Sequence, residues 1–250
     1  PILTKDHEYM LISRNLYFFG IGESLLESRL KELMVSSLNP TVAPYAKTGE
    51  VMLRVTAKVR DPKEADTVMA PAMEKIREAA GAYLYGIDVG NLQTAAVRLL
   101  KEKGLHVAMA ESCTGGLVSK RITEVSGASE VFECGICTYS NRMKQQFLHV
   151  KEKTLQKFGA VSAETAAEMA EGIRAVSGAD IGVSVTGNAG PGASEGKPVG
   201  IVFVGVSSKN YTSVISLNIR RTDEDAREYI RYIASSQAIY QIIEAAKRAD

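Results

Sequence analysis

Cysteine is scarce in this chain: Cys113, Cys134 and Cys137 are the only three in 250 residues. An odd, clustered set cannot frame a disulfide scaffold, and it fits a reducing compartment. Charge of one sign is missing too. Thirty Lys and Arg stand against 29 Asp and Glu, a net charge of +1, so no basic excess points to nucleic acid or to an anionic membrane surface. No run of about 18 apolar residues occurs, which excludes a helical membrane span. The first residues carry no basic stretch followed by an apolar run, so no signal peptide opens the chain. There is no internal repeat and no low-complexity segment. A cytoplasmic protein with no membrane partner is expected.

What is present is ordinary globular material, 45% apolar and 24% charged, which rules out a disordered or collagen-like chain. At about 150 residues per domain the length suits two unequal modules or one large α/β unit. The rhythm of the first third predicts strand, helix, strand, helix, strand. Residues 9–19 are rich in β-branched and aromatic types, and residues 24–38 repeat Leu25, Leu26, Leu30, Leu33 and Met34 at helical spacing. Residues 50–60 alternate apolar and polar, a Pro at position 62 opens a second helix running to residue 80, and residues 83–87 form a short strand. Asn39-Pro40 and Lys47-Thr48-Gly49 read as turns. The expected fold class is α/β: a small α+β unit over residues 1–88, then a larger α/β sheet domain over residues 91–250 with helices on both faces. In the larger domain helices are expected at 92–103, 117–125, 141–148, 154–158, 162–176 and 223–247. Strands are expected at 107–110, 132–139, 181–186, 199–206 and 212–218.

Three segments could carry chemistry. In Ala110-Glu111-Ser112-Cys113-Thr114-Gly115-Gly116 a buried strand runs through small polar residues into a helix. Backbone N–H groups at such a start attract anions, and Ser112, Cys113 and Thr114 are three possible nucleophiles. A plain helix cap packed by glycines explains the same residues, and the Lys of a Walker loop is missing. The second segment, Thr138-Tyr139-Ser140-Asn141-Arg142-Met143-Lys144, offers a base. The three histidines (His7, His106, His149) lie in no triad-like context, whereas a buried Lys144 with a lowered pKa could serve, with Tyr139 relaying the proton. The third, Ser184-Val185-Thr186-Gly187-Asn188-Ala189-Gly190-Pro191-Gly192 followed by Lys197-Pro198-Val199-Gly200, is a strand breaking into a glycine-rich loop with backbone donors. Arg227 and Arg231, one turn apart, could clamp a phosphate. Cys134-Gly135-Ile136-Cys137 has the spacing of a redox or zinc half-site. It lies in a strand-like run, where positions i and i+3 face opposite ways, and no second pair completes a metal site.

Taken together and in this order, these motifs resemble the C-terminal domain of the CinA (competence/damage-inducible protein A) family over residues 91–250. Upstream, Phe18-Phe19-Gly20-Ile21-Gly22-Glu23-Ser24 and Asn39-Pro40-Thr41-Val42-Ala43-Pro44-Tyr45 are similar to its middle, KH-like domain. The resemblance implies a nicotinamide mononucleotide deamidase lacking the family's N-terminal molybdopterin-binding-like domain, with Pro1 as the place where that domain would join. It implies Ser112 as nucleophile, Lys144 as base and Tyr139 as proton-transfer partner, with no metal and no cofactor. Substrate contacts are expected from Thr114, Gly115, Gly116, Asn141, Thr186, Gly187, Gly190, Arg227 and Arg231. Two departures stand out: Asn188 replaces a usual aliphatic residue, which puts a polar group toward substrate, and Gly192-Ala193 replaces Gly-Gly. No G-x-x-G loop suits RNA binding by residues 1–88. A homodimer is expected, because a KH-like module and an exposed strand each support self-association. Two further readings stay open: a non-catalytic nucleotide-binding or regulatory module, and thiol redox chemistry through Cys134 and Cys137.

Overall fold

The structure, a computed structural model, describes residues 8–249. Pro1 therefore lies outside the described residues, and with it the expectation attached to that position. The described residues divide after Asn91 into two compact units.

In the first unit an antiparallel sheet has the order β2-β3-β1-β4, with β1 Met10–Phe19, β2 Thr41–Lys47, β3 Glu50–Val59 and β4 Leu84–Ile87. Two helices, α1 Glu23–Ser36 and α2 Ala65–Ala80, cover one face. Alternation explains which face: Val51, Leu53, Val55, Ala57 and Val59 of β3 are buried against Leu26, Leu30, Met69 and Ile76. The sequence reading missed β2. Asn39-Pro40 reads as a turn and Pro44 argues against a strand, but β2 is an edge strand pairing with β3 alone, where a missing N–H costs little.

The second unit is a mixed sheet of order β6-β5-β7-β8-β9. Its strands are β5 Val107–Glu111, β6 Phe132–Cys137, β7 Ile181–Gly187, β8 Ile201–Ser207 and β9 Thr212–Asn218. β6, β5 and β7 run parallel, β8 returns antiparallel to β7, and β9 pairs antiparallel to β8. The helices are α3 Leu92–Lys103, α4 Leu117–Thr123, α5 Asn141–Leu148, α6 Glu152–Phe158, α7 Ala163–Ser177 and α8 Ala226–Arg248. Strand periodicity divides them between two faces. Ala108 and Ala110 meet Leu148 of α5, Leu155 of α6 and Met169 and Ile173 of α7. On the same face Gly182 and Gly205 let α7 press close: a Cβ on either would strike the carbonyl of Ala170 or Ala166. Val107 and Met109 are equally buried with the opposite parity, on the side of α8, which packs on β7, β8, α3 and α4. Caps set two helix starts: the Ser140 hydroxyl accepts from the Met143 N–H, and the Ser162 hydroxyl from the Thr165 N–H.

Candidate active site

The same alternation aims the residues at the end of β5. Glu111 keeps the parity of Met109, so its carboxylate turns toward α4. It is 1% exposed and accepts from the N–H groups of Gly116 (2.9 Å), Val118 (3.1 Å) and Ser119 (2.8 Å), and from the Ser119 hydroxyl (2.7 Å). The anion seat at the start of α4 is thus filled by the chain itself. Ser112 takes the other parity. Its N–H continues the ladder to the Val185 carbonyl (2.9 Å), and its hydroxyl faces α5.

There it meets Lys144, which is fully buried. The Lys144 Nζ stands 2.8 Å from the Thr138 carbonyl, 3.1 Å from the Tyr139 carbonyl and 3.3 Å from Ser112 Oγ. Burial lowers its pKa from 10.5 to about 8, against a smaller opposing pull from the Glu195 carboxylate. In the neutral amine two protons go to the two carbonyls, which leaves the lone pair directed at the serine hydroxyl. Of the three candidate nucleophiles, Ser112 alone has this partner. Cys113 is buried and its thiol is pushed up to about 12 by desolvation, while the Thr114 hydroxyl is sealed in with no hydrogen-bond partner.

Ser112 and Lys144 open into a cleft of about 380 Å³ outside the carboxyl ends of β5 and β7. Of the expected substrate contacts, Asn141, Thr186, Gly187, Gly190 and Arg227 line it, together with Tyr139. Thr186 spends its hydroxyl on the Ala160 carbonyl (2.7 Å), and Arg227 donates to the Gly190 carbonyl (2.5 Å). Tyr139 stands at the mouth and is 65% exposed; its backbone carbonyl, rather than its hydroxyl, touches Lys144.

Thr114, Gly115, Gly116 and Arg231 are not brought into this cleft. The Gly115 N–H donates to the Ser112 carbonyl (3.0 Å) and the Gly116 N–H is held by Glu111, so neither is open to a ligand. Arg231 is spent on the same turn: Nε donates to the Cys113 carbonyl (3.1 Å) and Nη2 to that of Thr114 (2.8 Å). These two bonds tie α8 to the turn after the serine. Among the described residues, no backbone carbonyl accepts from the N–H of Cys113 or of Thr114. Asn188 also departs from expectation. Its side chain is spent on its own loop: Oδ1 accepts from the Gly190 N–H (2.9 Å), and Nδ2 donates to the carbonyls of Gly192 (3.0 Å) and Lys197 (3.1 Å).

Glu111, Ala160, Val161 and Glu195 were missed by the sequence reading. Only Glu111 carried a signal, an acid just ahead of a helix start. Cys134 and Cys137 sit on opposite faces of β6, and all three cysteines are free. Among the described residues no group of three His, Cys, Asp or Glu is placed to hold a metal ion, and no helix is long and apolar enough to cross a membrane.

Comparison with known proteins agrees in both units. Residues 13–86 match the damage-inducible protein CinA KH domain, and residues 90–246 match the CinA C-terminal domain. A CinA-like protein of Kosmotoga olearia is 47% identical over 220 residues, 88% of this chain and 53% of that protein. A putative competence-damage inducible protein of Caldicellulosiruptor saccharolyticus is 47% identical over 240 residues, 96% of this chain and 57% of that one. The chain thus spans about half the length of the curated relatives it matches. Among solved structures, the competence/damage inducible protein CihA of Agrobacterium tumefaciens is 37% identical with a TM-score of 0.57, covering 62% of this chain and 96% of its own. A CinA superfamily protein of Klebsiella pneumoniae is 28% identical with a TM-score of 0.59, over 62% of this chain and 96% of its own. With a KH-type unit followed by the C-terminal domain whose cleft joins Ser112 to Lys144, the chain belongs to the CinA family.

Proposed function

We propose that the second unit hydrolyses the carboxamide of nicotinamide mononucleotide, giving nicotinate mononucleotide and ammonia. The observation that carries this reading is the Lys144–Ser112 contact of 3.3 Å, made by a fully buried amine with two carbonyl partners besides the serine. Neutral Lys144 takes the proton of Ser112 as Oγ attacks the amide carbon. The N–H of Cys113, a residue that lines the cleft, takes the oxyanion on a turn held in place by the Arg231 clamp behind it. As the tetrahedral adduct collapses, the Lys144 ammonium gives its proton to the amide nitrogen, the C–N bond breaks and ammonia leaves. Water, deprotonated by the same lysine, then hydrolyses the nicotinoyl ester and restores Ser112. Tyr139 closes the mouth over the ring, where its hydroxyl assists the proton's passage, and Arg227 is the cleft's cation for the phosphate.

The reaction needs no step through a metal or cofactor, since proton transfer and acyl transfer are both served by side chains. Incubation with nicotinamide mononucleotide and measurement of ammonia is the test. Ser112→Ala and Lys144→Ala are each expected to lower turnover at least about a thousandfold with the fold intact by circular dichroism. Full activity in either variant would contradict the assignment.

A further inference from the structure

Glu195 is the one carboxylate among the described residues lining the cleft, and the reaction above does not use it. It sits on the exposed loop between β7 and β8 with φ +52°, a left-handed conformation unusual outside glycine. Its two oxygens accept from consecutive backbone groups, the N–H of Ala160 (3.0 Å) and the N–H of Val161 (3.0 Å). Gly159 opens the seat: it also has positive φ, +80°, and a Cβ there would occupy the place of Glu195 Oε2. Two convergent N–H groups beside a glycine form a small cradle for an anion.

Neither side of the contact needs Glu195 for its shape. On the cradle side, the Thr186 hydroxyl donates to the Ala160 carbonyl (2.7 Å). The hydroxyls of Ser162 (3.0 Å) and Thr165 (2.7 Å) donate to the Gly159 carbonyl. On the loop side, Asn188 binds the backbone at Gly190, Gly192 and Lys197, and the Lys197 ammonium donates to the Phe158 carbonyl (2.8 Å). The carboxylate is therefore redundant as a strap, and its exposure makes its release to water cheap.

We propose that the amide pair of Ala160 and Val161 is the seat for the substrate's phosphate monoester, and that Glu195 fills it as an internal stand-in until the substrate arrives. This rests on the deamidase reading for the identity of the phosphate's carrier. A phosphate brings about two negative charges and three acceptor oxygens where the carboxylate brings one and two, so it outcompetes the stand-in on the same donors. Arg227, lining the same cleft, adds the counter-charge. Free inorganic phosphate has to displace Glu195 with no help from a nicotinamide ring or a ribose. The stand-in thus discriminates against the bare ion, and its return to the seat helps to expel product.

The test is a pair of variants, Glu195→Ala and Glu195→Gln, each titrated with inorganic phosphate by calorimetry and assayed for KM with nicotinamide mononucleotide. Removing a charged competitor from two hydrogen bonds is expected to tighten phosphate binding about tenfold and to lower KM in both variants. A strap predicts the opposite sign, so unchanged or weakened phosphate binding together with a raised KM would overturn the proposal. Gly159→Ala, which fills the seat, is expected to abolish the tightened phosphate binding when combined with Glu195→Ala. If the double variant binds phosphate like Glu195→Ala alone, the seat is elsewhere. Phosphate binding is read without turnover. A tightened constant with no ammonia release leaves the seat standing and removes the deamidase reading, whereas ammonia release with an unmoved constant does the reverse.

Discussion

Glu111 and Glu195 both rest a carboxylate on backbone N–H groups of the larger unit, and the difference between them lies in burial and in the number of donors. Glu111 is 1% exposed and meets three N–H groups and a hydroxyl. Glu195 is exposed, meets two N–H groups, and holds an unfavourable backbone conformation. Taking Glu111 away strands buried donors that nothing else can reach. Taking Glu195 away leaves donors at the edge of an open cleft, where solvent or a ligand oxygen replaces it. One interaction is a permanent part of the turn behind Ser112, and the other is exchangeable. The chemistry of the contact is the same in both.

The largest expected effect separates them directly. Glu111→Ala should cost the protein about 3 kcal/mol or more, read as a drop in Tm of about 10 °C, because several charge-assisted hydrogen bonds lose their acceptor in a dry site. Glu195→Ala should change stability by no more than about 0.5 kcal/mol, as for other surface substitutions. Similar losses in the two variants would break the comparison.

The arginines sharpen it next. Arg227→Met should raise KM for nicotinamide mononucleotide about tenfold and leave Tm alone, as the loss of one exposed charge-assisted contact to the phosphate. Arg231→Met should instead lower kcat and Tm while moving KM little, because its two carbonyl contacts shape the turn carrying the Cys113 amide. Reversed phenotypes would reassign the phosphate ligand.

A smaller effect concerns stability against pH. Lys144 has a lowered pKa in the fold, so between about 8 and 10.5 the unfolded chain holds a proton that the folded one has released. Wild type should accordingly gain stability relative to Lys144→Met as pH rises through that window, with the gap constant below it. Parallel stability curves would show that burial does not depress the lysine. Smallest of all, Cys134→Ser with Cys137→Ser should leave turnover unchanged, since the two thiols face opposite sides of β6.

Local signals in the sequence located most of the secondary structure. Residues 107–110 read as a buried strand because they are continuously apolar, and α5 and α7 begin where Ser140 and Ser162 provide caps. β2 stayed hidden because Pro44 weighs against a strand unless the edge position is known. The site was legible only in part. Ser112 and Lys144 are 32 positions apart, and no local spacing joins them; the lack of a triad-like histidine singles out Lys144 as a base, and the resemblance of whole motifs pairs it with Ser112. The two carbonyls to which Arg231 donates lie more than 110 positions away and leave no mark on the helix that carries it. Glu195 was invisible for a similar reason: its partners lie 34 and 35 positions back, and they are backbone groups with no side-chain signature.

The pH dependence of kcat/KM for ammonia release tests the central claim most directly, because it reports the ionisation of the free enzyme's base. With buried Lys144 as the base for Ser112, activity should rise with pH and level off around a midpoint near 8, where the lysine loses its proton. A flat profile from about pH 6 to about pH 10, or a midpoint near 10.5 as for an exposed lysine, would contradict it.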